Sequence, residues 1–199
     1  MQILTDVLDH KNIDWLRNIG AEYSNRFQKK KDYGNDARIY FSHEYSGYAQ
    51  LEKLIKSLLP VSPKSILCAY ERQYEPTPLH VDPEPMQNTL IIPLHDDPDC
   101  KTLGWIPRFE TVSQWHQFVQ EWQPHGQHNH GLSKKEMIDH CYDHNKECNM
   151  GDYLELDGIF SYRLGSIGVF SARQVHCSSD WKQLPNYQYK DFAVIHTYH

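Results

Sequence analysis

The rhythm of apolar positions changes near residue 65. Before it the spacing is helical. Trp15, Leu16 and Ile19 follow Asn12, which can cap a short helix, and Gly20 is placed to stop it. Leu51, Leu54, Ile55 and Leu58 predict a second helix over Tyr48 to Leu59, with Pro60 behind it. The polar, aromatic stretch between them reads as a loop. From Ser65 the chain turns to short apolar runs separated by Pro, Asp and Glu, the texture of strands and turns. The predicted strands are Ser65 to Tyr70, Pro78 to Asp82, Thr89 to Leu94, Tyr153 to Leu156, Ile159 to Tyr162, Ser166 to Ser171 and Lys190 to Tyr198. An insert, about 110–151, breaks the series. Thr111 with Gln114 and Ser133 with Glu136 resemble capping boxes, each ahead of an apolar helical face. The expectation is a single domain over residues 1–199, mostly β with flanking helices. It has a β-sandwich or jelly-roll core, a helical N-terminal region of about 1–60 and a helical insert.

Composition narrows the function classes. Acidic residues outnumber basic ones 26 to 20, for a formal charge of -6, the opposite of a surface built to coat nucleic acid. The run Lys29-Lys30-Lys31 reads as a solvated loop edge. The N-terminal residues lack the features of a signal peptide, and no apolar run approaches bilayer-spanning length. Cys68, Cys100, Cys141, Cys148 and Cys177 are odd in number and show no framework spacing, which fits reduced thiols in the cytoplasm. Thirteen histidines in 199 residues direct attention to metal chemistry.

Two imidazoles and one carboxylate are the strongest candidates. In an extended segment, residues two apart share a face, so His80 and Asp82 can reach one ion together. His-x-Asp is a weak signal by itself, since thirteen His and fifteen Asp yield about one match by chance. The chain has a second, His95-Asp96-Asp97, which runs into a turn with solvated carboxylates. His80-Val81-Asp82 lies instead between strand-like segments, and His176 follows the small-residue apolar strand Gly165 to Ser171. Two His and one carboxylate can hold a divalent metal on one face and leave positions open, which suits a non-haem Fe(II) oxygenase better than a structural site. The same donors suit Zn²⁺ in a hydrolase, or a cupin-like metal-binding jelly roll without turnover. His125, His128, His130, His140, Cys141, His144 and Cys148 crowd the insert. They lack the paired knuckles of structural zinc and read as a polar lid helix.

In their order these elements resemble the Fe(II)- and 2-oxoglutarate-dependent dioxygenases, whose double-stranded β-helix carries His-x-Asp…His. The likeness runs from Ile66 to Thr197, through Tyr74, His80-Val81-Asp82, Asn88 to Leu94, Gly165 to Ser179 and Lys190 to Thr197. It implies Fe(II) held by His80, Asp82 and His176. 2-Oxoglutarate would be the cosubstrate, its distal carboxylate on Lys190, with Tyr74 as a further donor and Lys182 or Arg173 as other candidate cations. It implies hydroxylation of a small-molecule or peptide substrate with release of succinate and CO2. Neither the zinc-hydrolase nor the cupin-like reading needs a buried cation at Lys190. The chain departs from the family's pattern in having lysine where arginine is commoner, Phe192 where a small hydroxyl residue is frequent, and no Gly-Gly-Glu-Thr segment.

Overall fold

In the computed structural model residues 1–22, 28–29, 37–74, 76–77, 80, 82, 85–107, 154–179, 181 and 188–198 are described, and all that follows concerns them. In chain order the elements are β1 (Gln2–Leu4), α1 (His10–Glu22), β2 (Gln28–Lys29), β3 (Ala37–Phe41), α2 (Tyr48–Leu58), β4 (Ser65–Gln73) and β5 (Asn88–Pro93). Then come β6 (Asp97–Pro107), β7 (Leu154–Tyr162), β8 (Ile167–Ser171), β9 (Val175–Ser178) and β10 (Lys190–Tyr198). The insert helices expected within 110–151, with their His/Cys cluster, lie outside the described residues, as do Lys30, Lys31 and Lys182.

Two antiparallel sheets form the core. The larger runs β1-β8-β5-β10-β4-β3-β2 and the smaller β7-β6-β9. Strand alternation gives the large sheet two different faces. One face, with Cys68, Tyr70, Leu90, Ile92, Ala193 and Ile195, packs against Ile13, Leu16 and Ile19 of α1 and Leu51 and Ile55 of α2. On the other, Ala69, Ile91, Phe170, Phe192 and Val194 pack against Cys100, Phe160 and Tyr162 of the small sheet. This is the expected jelly-roll core with helices on its outer side.

Several local expectations need correction. The region before residue 60 also contains strands: β3, within the expected loop, pairs with β4 from Ala37↔Arg72 to Phe41↔Cys68. Helix α1 is capped by Asp9, whose Oδ1 accepts the Asn12 N–H at 2.8 Å, so Asn12 lies inside the first turn. Gly20 does not end it. A Cβ there would stand 2.2 Å from the Tyr70 ring, so the glycine lets α1 lie close on β4. The turn expected after His95 gives way to β6. The two strands expected at 153–162 are one strand, β7. Gly104 pairs with Gly158 and Trp105 with Leu156, leaving Asp157 as a bulged residue that a sequence reading takes for a turn. No helix among the described residues is long and apolar enough to cross a membrane.

Candidate metal centre and cosubstrate pocket

Between the sheets lies a cavity of about 380 Å³ whose lining includes His80, Asp82, His176 and Lys190. His176 stands in β9. His80 is not in a regular strand, as expected for Pro78 to Asp82, but in a single antiparallel bridge to His176. The N–H of each histidine donates to the carbonyl of the other at 2.9 Å, and the Asp82 N–H donates to the Ala172 carbonyl at 2.9 Å. Two backbone clamps thus do the work assigned to one strand.

One ligand atom from each of the three side chains lies within 4.8 Å of the others. The two Asp82 oxygens face different imidazoles. Oδ1 is 3.8 Å from His80 Nε2 and Oδ2 is 3.8 Å from His176 Nε2, too long for hydrogen bonds. Donors sharing an ion at bond lengths of about 2.0–2.2 Å stand about 3–4 Å apart, so this spacing fits a common metal. The His176 tautomer is set for it. Its Nδ1–H donates to the Gln174 carbonyl at 2.9 Å, which leaves the Nε2 lone pair on the Asp82 side. Phe170 packs on this ring at a centroid distance of 4.5 Å.

Asp82 is further fixed by Thr89, whose hydroxyl donates to Oδ2 at 2.5 Å, while Thr89 Oγ1 lies 3.0 Å from His196 Nδ1. Burial pushes the Asp82 carboxyl upward. The imidazoles of His176, His80 and His196 and the Thr89 hydrogen bond outweigh it, and the carboxyl titrates below its ordinary range. His196 is lowered too, but by burial above all, which against the opposing charge of Asp82 brings it down to about 4.

Lys190 is 1% exposed. Its Nζ donates to Ser178 Oγ at 3.0 Å and lies 4.9 Å from the Tyr162 ring centre and 5.0 Å from that of Phe192. Ser178 is two residues beyond His176 on one strand. The cation's anchor therefore sits on the same face as the ligand imidazole, about 7 Å along β9.

Other candidates stand elsewhere. Tyr74 meets Tyr189 edge-on at 6.1 Å and is not among the cavity's lining residues, while Arg173 is an exposed turn residue that does not line it either. His95 binds the Asp191 carbonyl through Nδ1 at 3.1 Å, and Asp97 Oδ1 accepts the Asp99 N–H at 2.8 Å, so this His-x-Asp pair is structural. Sequence reasoning missed Thr89, Ser178 and His196, and the cavity wall formed by Arg38, Glu71 and Gln73. There Arg38 Nε donates to Glu71 Oε2 at 2.6 Å and Gln73 Nε2 to Glu71 Oε1 at 3.2 Å. Parity was the available signal for His196, which shares a strand face with Lys190.

No protein-family model and no curated protein matches the chain. Solved structures do. A Pseudomonas putida prolyl-4-hydroxylase is 10% identical with a TM-score of 0.53, covering 100% of this chain and 92% of its own. The non-haem alpha-ketoglutarate-dependent carbocyclase SnoK from nogalamycin biosynthesis is 11% identical with a TM-score of 0.58, covering 98% and 78%. EvdO2 from Micromonospora carbonacea var. aurantiaca, complexed with 2-oxoglutarate, is 11% identical with a TM-score of 0.52, covering 99% and 85%. Across almost its whole length, then, the chain has the fold of the Fe(II)- and 2-oxoglutarate-dependent oxygenases that its residues resemble.

Proposed function

We propose that this protein is a non-haem Fe(II)- and 2-oxoglutarate-dependent oxygenase that hydroxylates a small-molecule or peptide substrate. The observation that carries the reading is one cavity holding both halves of the machinery, with Lys190 anchored on Ser178 two residues along β9 from His176. That spacing matches the length of a short dicarboxylic acid.

The donor set of two imidazoles and one carboxylate suits Fe(II) and leaves positions open for ligands. His80, Asp82 and His176 would hold the ion. When bound, iron with 2-oxoglutarate and O2 would supply the oxidising chemistry, one oxygen atom entering succinate as CO2 leaves and the other entering the hydroxylated product. The protein's own part is placement and exclusion. Gln174 and Thr89 orient the His176 and Asp82 donors. Lys190, held on Ser178, presents a positive charge in the cavity to which a carboxylate can bind. Ile91, Phe192 and Val194 give the cavity an apolar wall that keeps water from the reacting groups. Buried thiols at Cys68, Cys100 and Cys177 fit a reducing compartment, the cytoplasm.

The test is an anaerobic visible spectrum of the apoprotein as Fe(II) and then 2-oxoglutarate are added. The expected result is a metal-to-ligand charge-transfer band in the wild type and none in His80→Ala. Iron binding without the band would overturn the oxygenase reading and favour a metal-binding jelly roll or a hydrolase.

A further inference from the structure

We infer that His196 is a positioning residue for the metal centre, acting on Asp82 through Thr89. This rests on the metal reading of His80, Asp82 and His176 and extends it to two residues that no sequence motif marks.

The argument starts from hydrogen count. An ionised carboxylate only accepts, so the 2.5 Å contact between Thr89 Oγ1 and Asp82 Oδ2 uses the single hydroxyl hydrogen of Thr89. The second contact of Thr89 Oγ1, at 3.0 Å to His196 Nδ1, must then be one in which threonine accepts. His196 is thereby the Nδ1–H tautomer, and the chain runs in one direction: His196 Nδ1–H to Thr89 Oγ1, Thr89 O–H to Asp82 Oδ2. Burial, which holds this imidazole neutral at physiological pH, is consistent with that tautomer.

The backbone makes the chain rigid. His196 and Thr89 are register partners in the β10–β5 ladder, so both side chains leave the sheet at one level on the cavity face. His196 is 4% exposed and Thr89 2%, so bulk solvent competes little with this contact. The consequence falls on the carboxylate. With Oδ2 taken by a charge-assisted hydrogen bond, Asp82 is locked in rotation and Oδ1 is its less encumbered oxygen. A ligand fixed this way loses less freedom when it binds an ion, and outer partners of this kind are typically worth 10–100-fold in metal affinity.

The test uses Co(II) as the probe, with dissociation constants from calorimetry and the ligand-field absorption spectrum of each variant. Unfolding midpoints confirm that each is folded. Thr89→Val, which keeps the shape and loses the hydroxyl, should weaken Co(II) binding about 10–100-fold, and Thr89→Ser should restore it. His196→Leu should weaken binding by a smaller factor. His196→Asn, whose side-chain N–H stands near the position of Nδ1, should largely restore it. The decisive measurement is the double variant: His196→Leu should add no further loss once Thr89 is Val, because its effect travels through that hydroxyl. An equal loss in both backgrounds would show that His196 acts by packing and would overturn the inference. So would an unchanged affinity and spectrum in Thr89→Val. In both cases Co(II) binding that is abolished by His80→Ala would leave the metal reading standing. A folded wild type that binds no Co(II) removes the metal reading and this inference together.

Discussion

The two faces of β10 differ more than any two elements of the molecule. Ala193 and Ile195 look towards the helices and join the apolar core there, whereas Lys190, Phe192, Val194 and His196 look into the cavity between the sheets. The same hydrogen-bonded ladder supports both sets, from Lys190↔Gln73 to Tyr198↔Ser65 on one side and from Phe192↔Pro93 to Thr197↔Asn88 on the other. What differs is what each face must satisfy. The helix side is close-packed, and its contribution is stability. The cavity side holds a buried cation and a buried imidazole in contact with Thr89 of β5, groups placed to act on something bound. A period of two thus separates folding from chemistry within nine residues.

The sharpest way to break that division is to change one residue on each face. Ile195 is 0% exposed, and Ile195→Ala should lower stability by about 2–5 kcal/mol in urea unfolding. Its folded fraction should still bind Co(II) with wild-type affinity. A metal constant that fell in step with stability would mean the two faces are coupled. The opposite change is Lys190→Met. Removing the ammonium takes a buried charge away from its partners, Ser178 Oγ among them, so stability should fall by about 1–3 kcal/mol. 2-Oxoglutarate binding to the Co(II)-loaded protein should weaken roughly ten- to hundredfold, the worth of a hydrogen bond to a charged group at about 1.5–3 kcal/mol. Unchanged binding would move the anchor away from Lys190.

A smaller effect concerns pH. His196 is depressed from 6.5 to about 4 in the folded protein, chiefly by burial. The unfolded chain therefore binds the proton more readily over this interval. The stability that His196 contributes is complete above pH 6.5 and is lost as the pH falls towards 4. For apoprotein in chelator, the drop between pH 7 and 5 assignable to this residue should be on the order of 1–2 kcal/mol. It is read as the difference between wild type and His196→Asn. Identical pH profiles would mean that His196 is more hydrated than its 4% exposure implies.

The same alternation explains what could be read from the sequence. Strands β5 and β10 are apolar on both faces over most of their length and announce themselves as strands. Asp82 and His176 could be singled out because their residue types are chemically restrictive and their surroundings apolar. Strand β3 escaped notice because Arg38-Ile39-Tyr40 carries a single fully buried side chain in a polar neighbourhood. Strand β6 opens with Asp97-Pro98-Asp99, residues that normally make turns, and its register shifts between Asp97 and Lys101. Tyr74 was expected beside the cosubstrate, yet it is the adjacent Gln73, buried and cross-strand from Lys190, that lines the cavity. One residue of parity at the end of a strand separates the two, and local composition does not carry parity there. Thr89 and His196 are ordinary residues whose roles exist only as a distance between strands.

The reciprocal backbone bridge between His80 and His176 has a consequence for the order in which this protein is made. The two imidazoles are 176 − 80 = 96 residues apart, and nothing local brings them together. A free ion meeting the unfolded chain would have to close a loop of that length against its entropy before gaining a second imidazole. Contacts of such long sequence separation form late, after the sheets have found their register. On the proposed metal reading, capture of an ion would follow closure of the sheets, and occupancy would certify a finished molecule.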